Sequence, residues 1–321
     1  MVDASRDMFR GLETTCDNTD QLLNGVILTL DAGNRSPENR NFDYEVTSSN
    51  TLNNWNDPVA VSAHYNAGQA YEYFRNVFGR QSITGNGTNI ISFINVTESD
   101  GSSMDNAYWN GEFIFYGNGN QAFNSPLARA LDVAGHEMAH GVIQTTANLV
   151  YQDESGALNE HFADVFGTLI EREDFRIGED ISNPSIFPTG ALRDMGNPNN
   201  GGTRLGDPGY QPDNVSDQFF GRDDNGGVHI NSGIPNKAFF NFVTDESFGD
   251  SNGDRATIAE QIWYRALTSF LRSSSNFSDM RLAIVQVAQN DFGSTVAAAA
   301  ERAFDAVGIT CLLYTSPSPR D

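Results

Sequence analysis

Two histidines with a glutamate beside the first lie in one short segment, His136-Glu137-Met138-Ala139-His140. Because residues four positions apart lie on one face of a helix, both imidazoles can contact a single metal ion. In this pattern the histidines bind zinc, and the glutamate acts as general base toward a water that the metal activates. The segment therefore predicts metal-assisted hydrolysis, whereas two histidines that only solvate a helix are the alternative.

A catalytic zinc keeps three protein ligands, so a third ligand is expected elsewhere in the chain. Residues 155–167 begin with Ser-Gly and then place apolar residues at helical spacing. Glu160 and Asp164 lie one turn apart on this helix and face the same way. Because an unpaired buried carboxylate is unfavourable, we interpret Glu160 as the third ligand and Asp164 as the acceptor that orients a ligand histidine. A solvated acidic face is the alternative, and His161 should point away from the metal.

These two segments resemble the thermolysin-like zinc metallopeptidases, in which H-E-x-x-H is followed by N-E-x-x-x-D. Further blocks similar to that family follow in the family's order at residues 57–65, 105–111, 224–233 and 303–308. The resemblance implies a two-domain α+β fold with the zinc cleft between the domains. We expect a β-rich N-terminal domain over residues 1–143, which ends in the active-site helix and lacks its first strands. A mainly α-helical C-terminal domain is expected over residues 144–310.

The resemblance also assigns residues to the metal. The ligands of one catalytic zinc would be His136, His140 and Glu160, and their supporting partners would be Asp164 and Asn159. Glu137 would be the general base that takes a proton from water and passes it to the leaving amine.

Attack on a peptide carbonyl builds an oxyanion, which needs hydrogen-bond donors besides the metal. By resemblance Tyr151 and His229 supply them. Asp224, five residues before His229, is placed to favour the protonated imidazole. Without the resemblance, Tyr151 would be interpreted as a packing residue and His229 as an ordinary loop histidine.

Substrate binding is likewise implied by matching positions. Asn106 and Ala107 match an edge segment that pairs with the substrate backbone as an added strand. Arg193 matches a residue that binds a substrate carbonyl beyond the scissile bond, although a surface arginine is the alternative. The matching specificity pocket is aliphatic throughout: Leu127, Val133, Ile177, Ile181 and Leu192. It favours cleavage on the amino side of bulky hydrophobic residues, although by spacing alone these five could be ordinary core residues.

A second type of metal is expected from a carboxylate cluster. By resemblance, the calcium ligands are Asp132, Glu171, Asp174 and Glu179. Hard oxygen ligands suit calcium, and like charges held close together repel without a cation. We expect one calcium ion, with a second at the same cluster as an open alternative. Ordinary surface acids would also explain these residues.

The composition, and above all the net charge, limits the kinds of molecule that the protein can bind. The chain has 321 residues, 39% of them hydrophobic, and a formal net charge of −23. Because nucleic acids and acidic membranes attract cationic surfaces, we expect neither as a partner. The family resemblance implies a protein that acts on proteins or peptides outside the cell, and we expect a monomer. The acidic excess fits adaptation to salt, which screens self-repulsion, or simple compositional drift.

The chain ends carry further expectations. Residues 311–321 resemble the translation of a sequencing adapter, so we expect this tail to be an artefact, which would leave Cys16 as the only genuine cysteine. The signal peptide and cognate pro-region of the family are expected to be absent from this chain. A truncated or inactive family member that only binds peptides is therefore the alternative to a zinc endopeptidase.

Overall fold

A computed structural model describes residues 1–14, 21–40, 42–46 and 55–310, so Cys16 and the tail 311–321 lie outside the described residues. The strands are β1 (Val2–Asp3), β2 (Gly11–Thr14), β3 (Gln21–Asn24), β4 (Ile27–Arg35), β5 (Glu45–Val46), β6 (Ile90–Val96), β7 (Ala107–Trp109), β8 (Ile114–Gly117), β9 (Arg176–Ile177) and β10 (Arg193–Asp194). The helices are α1 (Pro58–Phe78), α2 (Leu131–Gln144), α3 (Asp153–Glu171), α4 (Asp223–Asn231), α5 (Gly233–Val243), α6 (Asn252–Ser269), α7 (Phe277–Phe292) and α8 (Ser294–Ala306). Among these described helices, none has the length and apolar character needed to cross a membrane.

Six strands of the N-terminal half form one sheet in the order β1-β4-β6-β8-β7, with β5 paired to β4. The central pairs β4–β6 and β6–β8 are parallel, whereas β7 runs antiparallel to β8. Phe93 on β6 lies opposite Phe115 on β8, and their rings stack with centroids 5.0 Å apart. Aromatic cross-strand pairs of this kind stabilise a sheet. Strand β7 is at the end of this order and lies beside α2, the helix that carries His136 and His140.

Apolar positions from Val59 to Phe78 predict a helix, and helix α1 confirms it. It begins after Asp57, whose carboxylate accepts two backbone N–H groups of the first turn. It ends at Gly79 in the left-handed conformation (φ 68°). Phe74 on its buried face packs against Phe166 of α3, with ring centroids 5.4 Å apart. Helix α1 thus joins the sheet to the helices that follow.

The active-site helix is shorter than the sequence indicated. The sequence predicts this helix over roughly residues 127–146, whereas the structure divides that span into a 3₁₀ turn, Leu127–Arg129, and helix α2. Ala130 separates them because its backbone is extended (ψ 124°). Helix α3 follows and packs closely against α2.

Glycine permits this close packing of α2 and α3. A Cβ atom on Gly167 of α3 would lie 2.6 Å from the backbone oxygen of Asp132 on α2. A Cβ atom on Gly135 of α2 would lie 3.2 Å from the Cα atom of Gly167. The backbones can approach this far only because neither position carries a side chain.

The C-terminal helices enclose Trp263, which is completely buried on α6. Its ring packs against Phe239 and Phe242 of α5, with centroids 5.1 and 5.2 Å away. Helical periodicity over residues 258–271 and 279–288 predicts two helices, and α6 and α7 lie there. Both helices begin earlier than the apolar pattern, because Ser251 and Asn276 cap their first turns.

Replacing Gly167 by alanine should destabilise the fold, because the new methyl group would meet the backbone of α2. We expect Gly167→Ala to lower the free energy of unfolding by roughly 1–3 kcal/mol in urea denaturation. The matched control is Gly253→Ala in the first turn of α6, where the nearest atom to an added Cβ is Ser251 Oγ at 3.6 Å. It should be neutral or slightly stabilising. Equal stability of the two variants would contradict the close packing.

Candidate active site

Two helices bring three metal-binding side chains together, His136 and His140 from α2 and Glu160 from α3. The two Nε2 atoms lie 3.0 Å apart, and each is 3.5 Å from an oxygen of Glu160. Tetrahedral zinc ligands at about 2.0–2.1 Å from the ion lie roughly 3.3 Å from one another. The three side chains therefore have the spacing that one tetrahedral ion requires.

Hydrogen bonds on the far sides of the rings determine what these atoms can bind. The Nδ1 atom of His136 bonds to Asp164 Oδ1 at 2.9 Å, and that of His140 bonds to Asn159 Oδ1 at 2.8 Å. Since carboxylate and amide oxygens only accept, both Nδ1 atoms carry the proton and both Nε2 atoms present a lone pair. Glu160 Oε2 is buried and has no hydrogen-bond partner. The two Nε2 lone pairs and Glu160 Oε2 therefore converge with no donor among the described residues, which fits a cation.

Burial and neighbouring charges shift the pKa values of this group in different directions. Burial would lower the pKa of His136, but the hydrogen bond and charge of Asp164 outweigh it and raise that pKa. Burial lowers the pKa of His140. Burial would raise the pKa of Glu160, but His229 and the two α2 histidines hold it well below its usual range. Glu160 is thus ready to bind a cation as a carboxylate.

Asp164 is completely buried and receives several donors. Arg193 donates to its Oδ1 atom from Nε at 3.1 Å and from Nη2 at 2.7 Å. Asn236 donates to Oδ2 at 2.8 Å. Burial would raise the pKa of Asp164, but Arg193 and His136 keep it far below the usual range. A permanent carboxylate therefore orients His136 and holds Arg193 at the cleft.

A cleft of about 1050 Å³ opens above the metal-binding group and is lined by Glu137 among others. Asn106 and Ala107 line it from the β7 side, and Arg193 lines it from the other side. Of the five aliphatic residues predicted for the specificity pocket, four line this cleft: Leu127, Val133, Ile177 and Leu192. The fifth, Ile181, is not among the lining residues and is buried in the core.

Tyr151 and His229 meet at the metal-binding group. The Tyr151 hydroxyl donates to Glu160 and lies 3.0 Å from His229 Nε2. Asp224 accepts from His229 Nδ1 at 2.6 Å and from the backbone N–H of His229 at 2.8 Å. Burial would lower the pKa of His229, but Glu160 and Asp224 raise it to about 9. His229 is therefore a cationic donor at neutral pH.

The backbone at the start of α4 explains how Asp224 reaches His229. Residues 224–227 have left-handed φ values between 50° and 84°, so the regular helix begins only afterwards. Gly226 has φ 84° and a Cβ atom there would lie 2.1 Å from Asp153 Oδ1, so a residue with a side chain would be strained at this position. The tight loop turns the Asp224 carboxylate back onto the imidazole.

A second group of acids lies at the start of α2 and the end of α3. Asp132, Glu171 and Glu179 have oxygens within 4.8 Å of one another. Burial and the charge of Glu179 raise the pKa of Asp132 to about 7, and burial and Asp132 raise the pKa of Glu171. Asp174 lies outside this group, because its carboxylate bonds to the Arg176 guanidinium at 2.6 and 2.8 Å.

Three buried residues beside the metal-binding group were not predicted as functional: His161, Asn236 and Trp263. As the sequence predicted, His161 points away from the metal-binding atoms and bonds to Asn236 and Trp263. A polar side chain that is buried by distant helices has no local sequence signature. Only the position of His161 next to Glu160 could have drawn attention to it.

Comparisons with known proteins agree with this geometry. A family model described as "Thermolysin metallopeptidase, catalytic domain" matches residues 6–144, and one described as "Thermolysin metallopeptidase, alpha-helical domain" matches residues 147–309. The neutral protease NprE of Bacillus pumilus is 42% identical over 269 residues, which are 82% of this chain and 81% of that protein. Bacillolysin of Bacillus subtilis (strain 168) is 42% identical over 269 residues, which are 82% of this chain and 47% of that protein.

Two further relatives extend the comparison. The extracellular elastase of Staphylococcus epidermidis is 42% identical over 252 residues, which are 78% of this chain and 46% of that protein. The solved precursor of protealysin, a metalloproteinase from Serratia proteamaculans, superposes with a TM-score of 0.75 at 29% identity. That match covers 92% of this chain and 91% of the solved chain. The chain thus spans about half the length of the bacillolysin and the elastase that it matches.

Asp224→Asn should lower the pKa of His229, because a nearby carboxylate favours the charged imidazole. Asparagine tolerates the left-handed backbone at this position. We expect the pKa in NMR titrations of the metal-free protein to fall by about one unit or more from about 9. The imidazolium would then be lost at a lower pH than in the wild type. Exposed Asp223, replaced by asparagine as the control, should leave the titration unchanged, and equal titrations of all three proteins would refute the pairing.

Proposed function

Because the chain belongs to the thermolysin family of metallopeptidases, we propose that it is a zinc-dependent endopeptidase that cleaves on the amino side of bulky hydrophobic residues. The proposal depends above all on one observation, the convergence of His136, His140 and Glu160 with acceptor atoms 3.0–3.5 Å apart. These three residues would hold the zinc. When bound, zinc supplies Lewis-acid chemistry that activates water and polarises a carbonyl at neutral pH.

Glu137 would move the proton. It follows His136 directly in α2, and its buried carboxylate lines the cleft beside the metal-binding group. A carboxylate in this position can accept a proton from the attacking water and deliver it to the leaving amine. Both transfers use the same group, so no second general acid is needed.

His229 and Tyr151 would stabilise the negative oxygen that develops on the attacked carbonyl. Their polar atoms lie 3.0 Å apart, beside Glu160. The imidazolium N–H and the phenol O–H, once the latter turns from Glu160 toward the substrate, would supply two donors to that oxygen. Asp224 would keep the imidazole protonated and oriented.

Substrate would bind as an extended strand along β7. Asn106 and Ala107 line the cleft at the start of this strand, so a peptide could add to the sheet by backbone hydrogen bonds. The aliphatic lining residues would take the side chain that follows the scissile bond. Arg193, fixed by Asp164, would donate to a substrate carbonyl on that side.

Glu137→Gln tests the chemistry, because it removes the proton acceptor while nearly preserving shape. Hydrolysis of a quenched peptide with Gly-Leu at the scissile position should fall at least about 100-fold, with the zinc content unchanged. Mass analysis should place the wild-type cut before the leucine. The control, Glu301→Gln on the exposed face of α8, should retain full activity. A folded, zinc-loaded wild type that binds the peptide without cleaving it would instead indicate a binding module.

We also propose that Asp132, Glu171 and Glu179 hold a calcium ion. Glu171 Oε2 and Glu179 Oε2 are buried atoms without a hydrogen-bond partner, as expected for carboxylates that need a cation. A doubly charged ion would offset the mutual repulsion of the acids. It would also tie the first turn of α2 to the end of α3.

Calcium should therefore stabilise the protein. We expect millimolar calcium to raise the melting temperature by roughly 5 °C or more, since an ion that binds only the folded state stabilises it by mass action. Glu179→Gln should abolish most of this gain, whereas exposed Glu173→Gln should keep it. An equal calcium response in both variants would exclude this position for the ion.

Other features of the proposal concern the whole protein. We propose secretion, which the name of the extracellular elastase supports, and a monomeric state. A domain boundary near residue 143 is supported by the two family matches, which meet between residues 144 and 147.

A further inference from the structure

We propose that Trp263, His161 and Asn236 form a buried hydrogen-bond chain that positions the zinc ligand His136 through Asp164. The inference rests on the proposed zinc site and adds three positioning residues to it. None of the three touches the metal-binding atoms. They would act by fixing the orientation of the carboxylate that holds His136.

The hydrogen-bond chain is continuous over four bonds. Trp263 Nε1 lies 2.9 Å from His161 Nε2, and His161 Nδ1 lies 2.7 Å from Asn236 Oδ1. Asn236 Nδ2 lies 2.8 Å from Asp164 Oδ2, and Asp164 Oδ1 lies 2.9 Å from His136 Nδ1. The first four residues are at most 1% exposed. Helices α6, α3, α5 and α2 each contribute to the chain.

The direction of each bond follows from the two ends of the hydrogen-bond chain, an indole that only donates and a carboxylate that only accepts. An indole N–H can only donate, so His161 Nε2 must be the acceptor and its proton must lie on Nδ1. That proton goes to Asn236 Oδ1, which orients the Asn236 amide so that its NH₂ group faces Asp164. Asp164 then accepts from His136 Nδ1, which leaves His136 Nε2 with its lone pair toward the metal. The indole N–H at one end and the carboxylate at the other thus require the same His161 tautomer and the same Asn236 orientation.

Asn236 is the critical member, because the two oxygens of Asp164 have different partners. Arg193 and His136 both bond to Oδ1, whereas Asn236 is the one donor to Oδ2 among the described residues. Without Asn236, Oδ2 would be buried without a donor, and only the bonds to Oδ1 would hold the carboxylate. Replacing a group that orients a metal ligand in this way commonly weakens metal affinity 10–100-fold.

The tautomer of His161 provides the first test and needs no substitution. Nitrogen-15 NMR of the histidine side chains in the full chain should show His161 protonated on Nδ1, in the metal-free and the zinc-loaded protein alike. A His161 side chain protonated on Nε2 would overturn the proposed hydrogen-bond chain. A role in packing alone would not require either tautomer.

Asn236→Leu provides the second test, because leucine keeps the branching at Cγ and removes both polar atoms. Competition with a chromophoric chelator should show zinc affinity weakened about 10-fold or more. The matched control is Asn241→Leu, a half-buried asparagine on the same helix, which should keep wild-type affinity. If Asn236→Leu does not fold, Trp263→Phe replaces it, with loss of the single His161 tautomer and weaker zinc binding as the expected results.

The outcomes separate this inference from the proposed function. Wild-type zinc binding with equal affinity in folded Asn236→Leu would overturn the positioning chain and leave the zinc site intact. A wild type that binds no zinc would overturn both. A similar loss in Asn236→Leu and Asn241→Leu would reduce the effect to general destabilisation of α5 and would also overturn the inference.

Discussion

The close contact between α2 and α3 is the constraint on which the rest of the structure depends. Each helix presents two polar side chains one turn apart, and the metal-binding atoms of the two helices must come within 3.5 Å of each other. Such an approach is possible only where the helix backbones nearly touch, at Gly135 and Gly167. The sheet and α1 support this pair from one side, and helices α5 and α6 support it from the other.

The same contact concentrates charge where water is excluded. Helix α2 carries Asp132, His136 and His140 at successive turns, so it passes through both groups that could hold a cation. In each group, buried carboxylate oxygens lack a hydrogen-bond donor. Metal ions would therefore act as part of the electrostatic balance of the fold as well as in its chemistry. The buried Asp164–Arg193 pair is the exception, since there the protein supplies the cation itself.

How much could be predicted from the sequence depended on whether a contact is local. Spacing of four residues on a helix was enough to select His136 with His140 and Glu160 with Asp164, and the need for a third zinc ligand joined the two pairs, as the family resemblance also implied. Apolar periodicity predicted α1, but the caps moved the starts of α6 and α7. The partner of Asp174, the buried position of Ile181 and the chain through Asn236 depend on contacts between distant segments. No local sequence pattern indicates such contacts, so only the structure could identify them.

X-ray absorption at the zinc edge of the purified, zinc-loaded chain tests most directly whether two helices hold one catalytic ion. We predict four nitrogen or oxygen neighbours at about 2.0–2.1 Å, with the multiple scattering of two imidazoles and no sulfur. This result would match His136, His140, Glu160 and one further light atom. A spectrum with thiolate sulfur, or with no imidazole scattering, would contradict the site and the function derived from it.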